Sequence, residues 1–161
     1  MKKTFKIFPI LVFLILSSCG FSPMLKNVSF ENIKIKQIDY VGPNDLIYYL
    51  RSNLNIPTSK GFKDSYVIKI KIKESASSVT KDTTGVTTEE KITIDISFTI
   101  FDKEQNAVGM DNIKGSRNVS ITNNISTDSE NKRIEKENII TDLIQQLSFA
   151  IKARLASANQ W

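Results

Sequence analysis

The chain of 161 residues carries 22 Lys and Arg against 17 Asp and Glu, a formal net charge of +5, with no His and a single Cys. Without His it lacks the usual general base and the commonest metal ligand, and one Cys leaves no intrachain disulfide to staple the fold. The basic excess sits largely in the first residues: setting aside Lys2, Lys3 and Lys6 as a leader takes three from the 22 cations, and the remaining 19 against 17 make a weak case for nucleic acid as a partner.

Met1-Lys2-Lys3, with Lys6 close behind, forms a basic start, and Ile7 to Leu16 (IFPILVFLIL) is an unbroken apolar run. Ten helical residues rise only ~15 Å, half of what a ~30 Å hydrocarbon core requires. The run and the small Ser17 and Ser18 after it therefore read as a secretory signal peptide over residues 1–18 rather than a transmembrane anchor. Leu16-Ser17-Ser18-Cys19 resembles the lipobox of bacterial lipoproteins. That resemblance implies cleavage after Ser18, a diacylglyceryl thioether and an N-acyl group on Cys19, and no other cofactor; an incidental free thiol after an ordinary signal peptide is the plainer reading. Several acyl chains exceed what stable anchoring needs, since two already hold. Gly20 stands where an Asp would signal inner-membrane retention in enterobacterial lipoproteins, which points to the outer membrane, facing the periplasm.

Residues 19–161 are one domain by size. Residues 19–27 form a lipidated tether, extended around Pro23, and residues 28–157 the folded domain. Val28, Phe30, Ile33 and Ile35 predict a first strand that ends near Tyr40. Val41-Gly42-Pro43-Asn44 is a turn with Pro43 in the first turn of a helix, where Asp45 suits the dipole. Leu46, Ile47, Leu50 and Leu54 give that helix about three turns, closed by Pro57 and Gly61.

Tyr66, Ile68, Ile70 and Ile72 then alternate with Val67, Lys69, Lys71 and Lys73, and Ile92, Ile94, Ile96, Phe98 and Ile100 alternate with Lys91, Thr93, Asp95, Ser97 and Thr99. Each is a strand with one buried and one wet face. Ser75 to Thr88 (SASSVTKDTTGVTT) between them reads as a flexible hairpin loop, and Asp102 to Asn106 (DKEQN) as a hairpin turn. The return strand carries Val108, Met110 and Ile113, then Val119 and Ile121, with Gly115 read as a bulge or bend.

Thr127-Asp128-Ser129-Glu130 has the form of a capping box for a last helix that runs to about Ala156. Ile140, Leu143, Ile144, Leu147, Ile151 and Leu155 form its apolar stripe, with Phe149 and Ala150 beside it. At ~40 Å the helix matches the long strand Glu89 to Phe101. The expected fold is α/β (α+β), a two-layer sandwich of order β-α-β-β-β-α, with two helices packed on one face of a four-stranded sheet.

These features together resemble the LPS-assembly lipoprotein family, LptE, in its alphaproteobacterial form. The resemblance rests on Cys19-Gly20-Phe21-Ser22-Pro23, the Thr-rich segment into Ile92 to Phe101 with its Asp102 turn, the Asn-rich stretch Asn118 to Ile125, and the end of the last helix at Ile151-Lys152-Ala153-Arg154-Leu155-Ala156. It implies a non-enzymatic outer-membrane lipoprotein that plugs the lumen of the β-barrel LptD, assists its assembly and helps deliver lipopolysaccharide to the surface. A plug needs polar outer surfaces to meet a polar barrel interior. The wet face bearing Lys69, Lys71, Lys73 and Lys91 then meets barrel residues or the phosphates of lipopolysaccharide, where Lys acts as a point charge; a merely solvated strand face is the alternative.

Ser75 to Thr88 holds one Gly, Gly85, and no phosphate-cradle pattern, and Asp95, Asp102 and Asp111 make no catalytic pair. The Asn-X-Ser matches at Asn27, Asn118 and Asn124 are chance in a bacterial lipoprotein, and Trp161 reads as a frayed end. A second reading, an auxiliary lipid-binding lipoprotein of an envelope phospholipid transport system, predicts an exposed apolar groove instead of a barrel partner.

Overall fold

A computed structural model describes residues 34–59 and 65–158. The leader, Cys19, the tether, the expected start of the first strand at Val28, Gly61 and Trp161 lie outside the described residues. The order is β1 (Ile35–Val41), α1 (Asn44–Asn53), β2 (Tyr66–Lys81), β3 (Thr87–Phe101), β4 (Ala107–Ser120) and α2 (Ile125–Ala158). The strands form one sheet in the order β1-β2-β3-β4. β1 runs parallel to β2, which needs a crossover, and α1 supplies it. β2-β3 and β3-β4 are antiparallel hairpins. The expected α+β sandwich, with β-α-β-β-β-α order and both helices on one face, is the fold observed.

Alternation decides which face is covered. Ile68, Ile70 and Ile72 pair with Ile100, Phe98 and Ile96, and all six are buried. From above, α2 brings Ile139, Ile140, Leu143, Leu147, Ile151 and Leu155, and α1 brings Leu46 and Leu50. Each fully buried aliphatic side chain contributes roughly 1.5–3 kcal/mol, so this single layer is the main source of stability. Pro43 stands just before α1 as an extended capping residue rather than within its first turn, and the helix carries Asp45 at its start and Arg51 at its end. The Tyr49 and Thr141 hydroxyls, 3.1 Å apart, join the two helices.

Three local readings are corrected. Ser75–Lys81 is strand, not loop: it pairs with Thr87–Thr93, with Ser78 and Thr87 hydroxyls 3.1 Å apart and Thr80 Oγ1 donating to Glu89 at 3.0 Å. Only Asp82–Val86 turns. β4 has no bulge at Gly115, which pairs with Ile94; the register shift falls between Ile100 and Phe101. Gly115 is there because α2 comes close, a Cβ at that position lying 2.9 Å from Ile139 Cγ2.

The third correction concerns α2, which begins at Ile125 on a different cap. Asn124 Oδ1 accepts the Thr127 N–H at 3.2 Å, and Asp128 is buried, its Oδ1 accepting the Thr122 N–H and hydroxyl, both at 2.8 Å. Thr127 is already the third residue of the helix and so is not its cap, and the Glu130 carboxylate accepts from Arg133 instead. The 34 residues of α2 rise ~51 Å, the span of the 15-residue β3 at ~50 Å. Its Ile144 is half-buried and Phe149 is 58 % exposed, so the buried stripe leans to Ile139 instead.

Candidate functional site

The face opposite the helices is built by the same alternation that builds the core. Lys69 pairs with Asp39 and Thr99, Lys71 with Val41 and Ser97, Lys73 with Asp95, and Ser77 with Lys91. β4 extends these rows: Met110 lies beside Thr99, Asn112 beside Ser97, Lys114 beside Asp95, Ser116 beside Thr93 and Asn118 beside Lys91. The result is a four-stranded polar surface of ammonium, hydroxyl and amide groups.

The four lysines expected to act together are placed on this one face, but not at one point. Lys69, Lys71 and Lys73 form a file along β2 at about 7 Å intervals, whereas Lys91 sits two rows, about 13 Å, beyond Lys73. Lys114 is the one sequence reasoning missed. It completes a row Lys73–Asp95–Lys114 across three strands, and its signal was the alternation Asn112, Lys114, Ser116, Asn118. Asp95 accepts from Asn112 Nδ2 at 2.8 Å, so the carboxylate between the two lysines is held by an amide.

Charge is arranged differently on the two faces. Toward the helices, Lys132 meets Glu90 and Lys136 meets Glu74, each at 2.8 Å, while Arg117 meets Asp142 and Arg154 meets Asp111, each at 2.9 Å. Arg133 pairs with Glu130 and Glu137 along α2 itself. Among the described residues, none of Lys69, Lys71, Lys73, Lys91 and Lys114 makes an ion pair. Lys69 Nζ instead lies 5.0 Å from the centre of the Phe101 ring, a cation–π contact. The open face thus presents five lysines outside any close ion pair, with Asp39 and Asp95 as cross-strand neighbours and hydroxyl groups between them, a surface that can hold an anion or a polar wall at several weak points.

At one end of the face, Lys36, Asp39, Lys69, Phe101, Asp102 and Gln105 line a cleft of about 360 Å³. Asp102 stays ionised to lower pH than an ordinary carboxyl because the Asn106 N–H and side chain, and the Glu104 N–H, donate to it. On the helix side, a groove of about 670 Å³ runs between β4 and the outer flank of α2, past Ile113, Phe149 and Ala153. Among the described residues no helix is long and apolar enough to cross a membrane, and no group of three His, Cys, Asp or Glu could hold a metal ion. Cys19, the expected lipid site, lies outside the described residues.

No protein-family model and no curated protein matches the chain. Solved structures do. A minor lipoprotein from Acinetobacter baumannii superposes with a TM-score of 0.56 at 18 % identity, covering 75 % of this chain and 93 % of its own. The rare lipoprotein B from Shewanella oneidensis gives 0.54 at 18 %, covering 75 % and 99 %. A lipoprotein B from Nitrosomonas europaea gives 0.56 at 10 %, covering 78 % and 88 %. At such identities the likeness establishes a common fold: this chain has the architecture of these three bacterial lipoproteins.

Proposed function

We propose that the chain is a lipid-anchored lipoprotein of the outer membrane, of the LptE type, which pairs with the β-barrel LptD as a plug and assists its assembly and the insertion of lipopolysaccharide at the cell surface. The observation that carries this reading is the two-sidedness of the sheet. One face is sealed by α1 and α2, and the other is an extended polar surface whose lysines lack carboxylate partners among the described residues. A domain that fills a polar lumen needs such a face. The fold shared with three proteins described as lipoproteins, and the lipobox-like Leu16-Ser17-Ser18-Cys19, support the anchoring half.

On this reading Cys19 carries the diacylglyceryl and N-acyl lipid, Lys69, Lys71, Lys73 and Lys91 meet barrel residues or lipopolysaccharide phosphates with Lys114 joining them, and the chain is not an enzyme and takes no other cofactor. The alternative, an auxiliary lipid-binding lipoprotein, requires an apolar groove. The groove beside β4 is open to solvent along its length rather than an enclosed apolar cavity, which suits whole acyl chains poorly.

The test is extraction of the C-terminally tagged chain in gentle detergent, followed by mass spectrometry of what co-purifies. One large outer-membrane β-barrel at about equal stoichiometry is expected. Recovery alone, or with the components of an ATP-driven transporter, sinks the reading.

A further inference from the structure

Among the described residues β4 is an edge strand, 14 residues long. The Asn112 N–H points away from β3 and is donated at 2.9 Å to the carboxylate of its own neighbour, Asp111. The register with β3 is unbroken from Gly109 to Ser120, so by alternation the N–H and C=O of Lys114, Ser116 and Asn118 also face outward. An edge of this length with free backbone groups is a template for another strand.

The surroundings are shaped for one. On the helix side, a strand added beside β4 would lay alternate side chains into the groove formed by Ile113 with Phe149, Ala150 and Ala153, whose small alanines leave the room. On the open side its other side chains would continue the rows of Ser116 and Lys114, and Lys114 makes no ion pair among the described residues. Met110, 64 % exposed, and Phe149, 58 % exposed, flank the place on either face. Asp111 guards the middle of the edge: Arg154 holds its carboxylate at 2.9 Å while it occupies the Asn112 N–H.

We infer that β4 accepts an extended segment of a second, different polypeptide as a fifth strand, with apolar residues alternating toward the α2 groove and an acidic residue facing Lys114. Main-chain pairing supplies the affinity and the groove the selectivity. This goes beyond the anchoring and barrel reading and requires neither the lipid nor LptD.

The test uses the full chain in detergent and, as probe, a short synthetic peptide alternating Val and Thr with one Thr replaced by Asp. Amide hydrogen exchange is read with and without it. The expected result is new protection at Lys114, Ser116 and Asn118, and Ser116→Pro, which removes an outward N–H an edge strand can spare, weakens binding by about tenfold or more without lowering the thermal midpoint. Asp111→Ala, which frees the Asn112 N–H, extends protection to Asn112. No peptide binding, binding indifferent to Ser116→Pro, or protection at β1 overturns the inference. So does protection of the same amides without peptide, whether it follows protein concentration, meaning a second copy, or added phospholipid, meaning acyl chains.

Discussion

Gly115 of β4 and Ile139 of α2 are packed so closely that a Cβ on Gly115 would lie 2.9 Å from Ile139 Cγ2 and 3.4 Å from both Leu143 methyls. The contact sets the height of α2 over the sheet, and through it the burial of the whole apolar stripe. Gly115→Ala is therefore expected to cost about 1–3 kcal/mol, the range of overpacked cores. Thermal or urea unfolding reads it directly. Ile139→Ala creates its own cavity, but the double variant should be less destabilised than the sum of the two, because the truncated side chain makes room for the new methyl. Strict additivity would mean that the two residues do not share the contact.

The two β-hairpins close in the same way. In Asp82–Val86 the first Asp Oδ1 accepts the N–H of Thr84 and Val86, and in Asp102–Asn106 it accepts those of Glu104 and Asn106. Each fourth residue is left-handed, Gly85 at φ 86° and Gln105 at φ 64°. A side chain there costs roughly 1–2 kcal/mol. Gly85→Ala should destabilise by about that amount through backbone strain alone, since no atom lies within 4 Å of the new Cβ. Gln105→Gly should stabilise by less than about 1 kcal/mol, because the unfolded chain gains freedom as well. Urea midpoints at unchanged m-value test both.

Acid should act through four aspartates and through Glu130, which the hydrogen bond from Arg133 holds below the usual range. Asp82, Asp102, Asp111 and Asp128 are all held below the ordinary carboxyl range, chiefly by the Thr84 side chain and by the Asn106, Asn112 and Thr122 N–H groups respectively. A folded pKa below the unfolded one means stability that is present above the unfolded value of about 3.9 and lost as pH falls through the folded value. The loss is expected below about pH 4. Asp128→Ala, which also uncouples Thr122 from the start of α2, should lower the urea midpoint at pH 7 and flatten its fall at acid pH. An acid limb as steep as that of the unaltered protein would show that Asp128 is not one of the groups responsible.

These same residues show what could be read from the chain beforehand. β2 and β3 were legible because Ile alternates strictly with Lys, Thr and Ser over a buried face. β4 was legible as the return strand but not in its alternation, because its helix-facing positions hold Gly109, Asp111, Gly115 and Arg117, two bare backbones beneath α2 and two charges that reach up to it. Ser75–Lys81 has loop composition but is strand because β3 pairs with it, a choice made by a partner distant in sequence. The cap of α2 was misplaced since Asn124 and Thr127 both stand before polar first turns, and only the bond from the Thr127 N–H to Asn124 decides between them. The lysine face was visible in β2 and β3 and incomplete at Lys114 for the same reason that the alternation of β4 was obscure.

Reversing the charge of that face should separate function from folding. Lys71, Lys73 and Lys114 are exposed, make no ion pair among the described residues, and point away from the core. Surface changes of this kind usually alter stability by no more than about 0.5 kcal/mol each. Lys71→Glu, Lys73→Glu and Lys114→Glu together place three carboxylates around Asp95, so a somewhat larger cost that falls with added salt is expected. If the face meets a polar barrel wall or lipid phosphates, barrel recovery or lipopolysaccharide binding should collapse in this variant while the far-UV spectrum and unfolding cooperativity persist. Lys→Gln at the same three positions should lie between. A triple reversal that folds and recovers its partner undiminished would leave the lysines as no more than a solvated strand face.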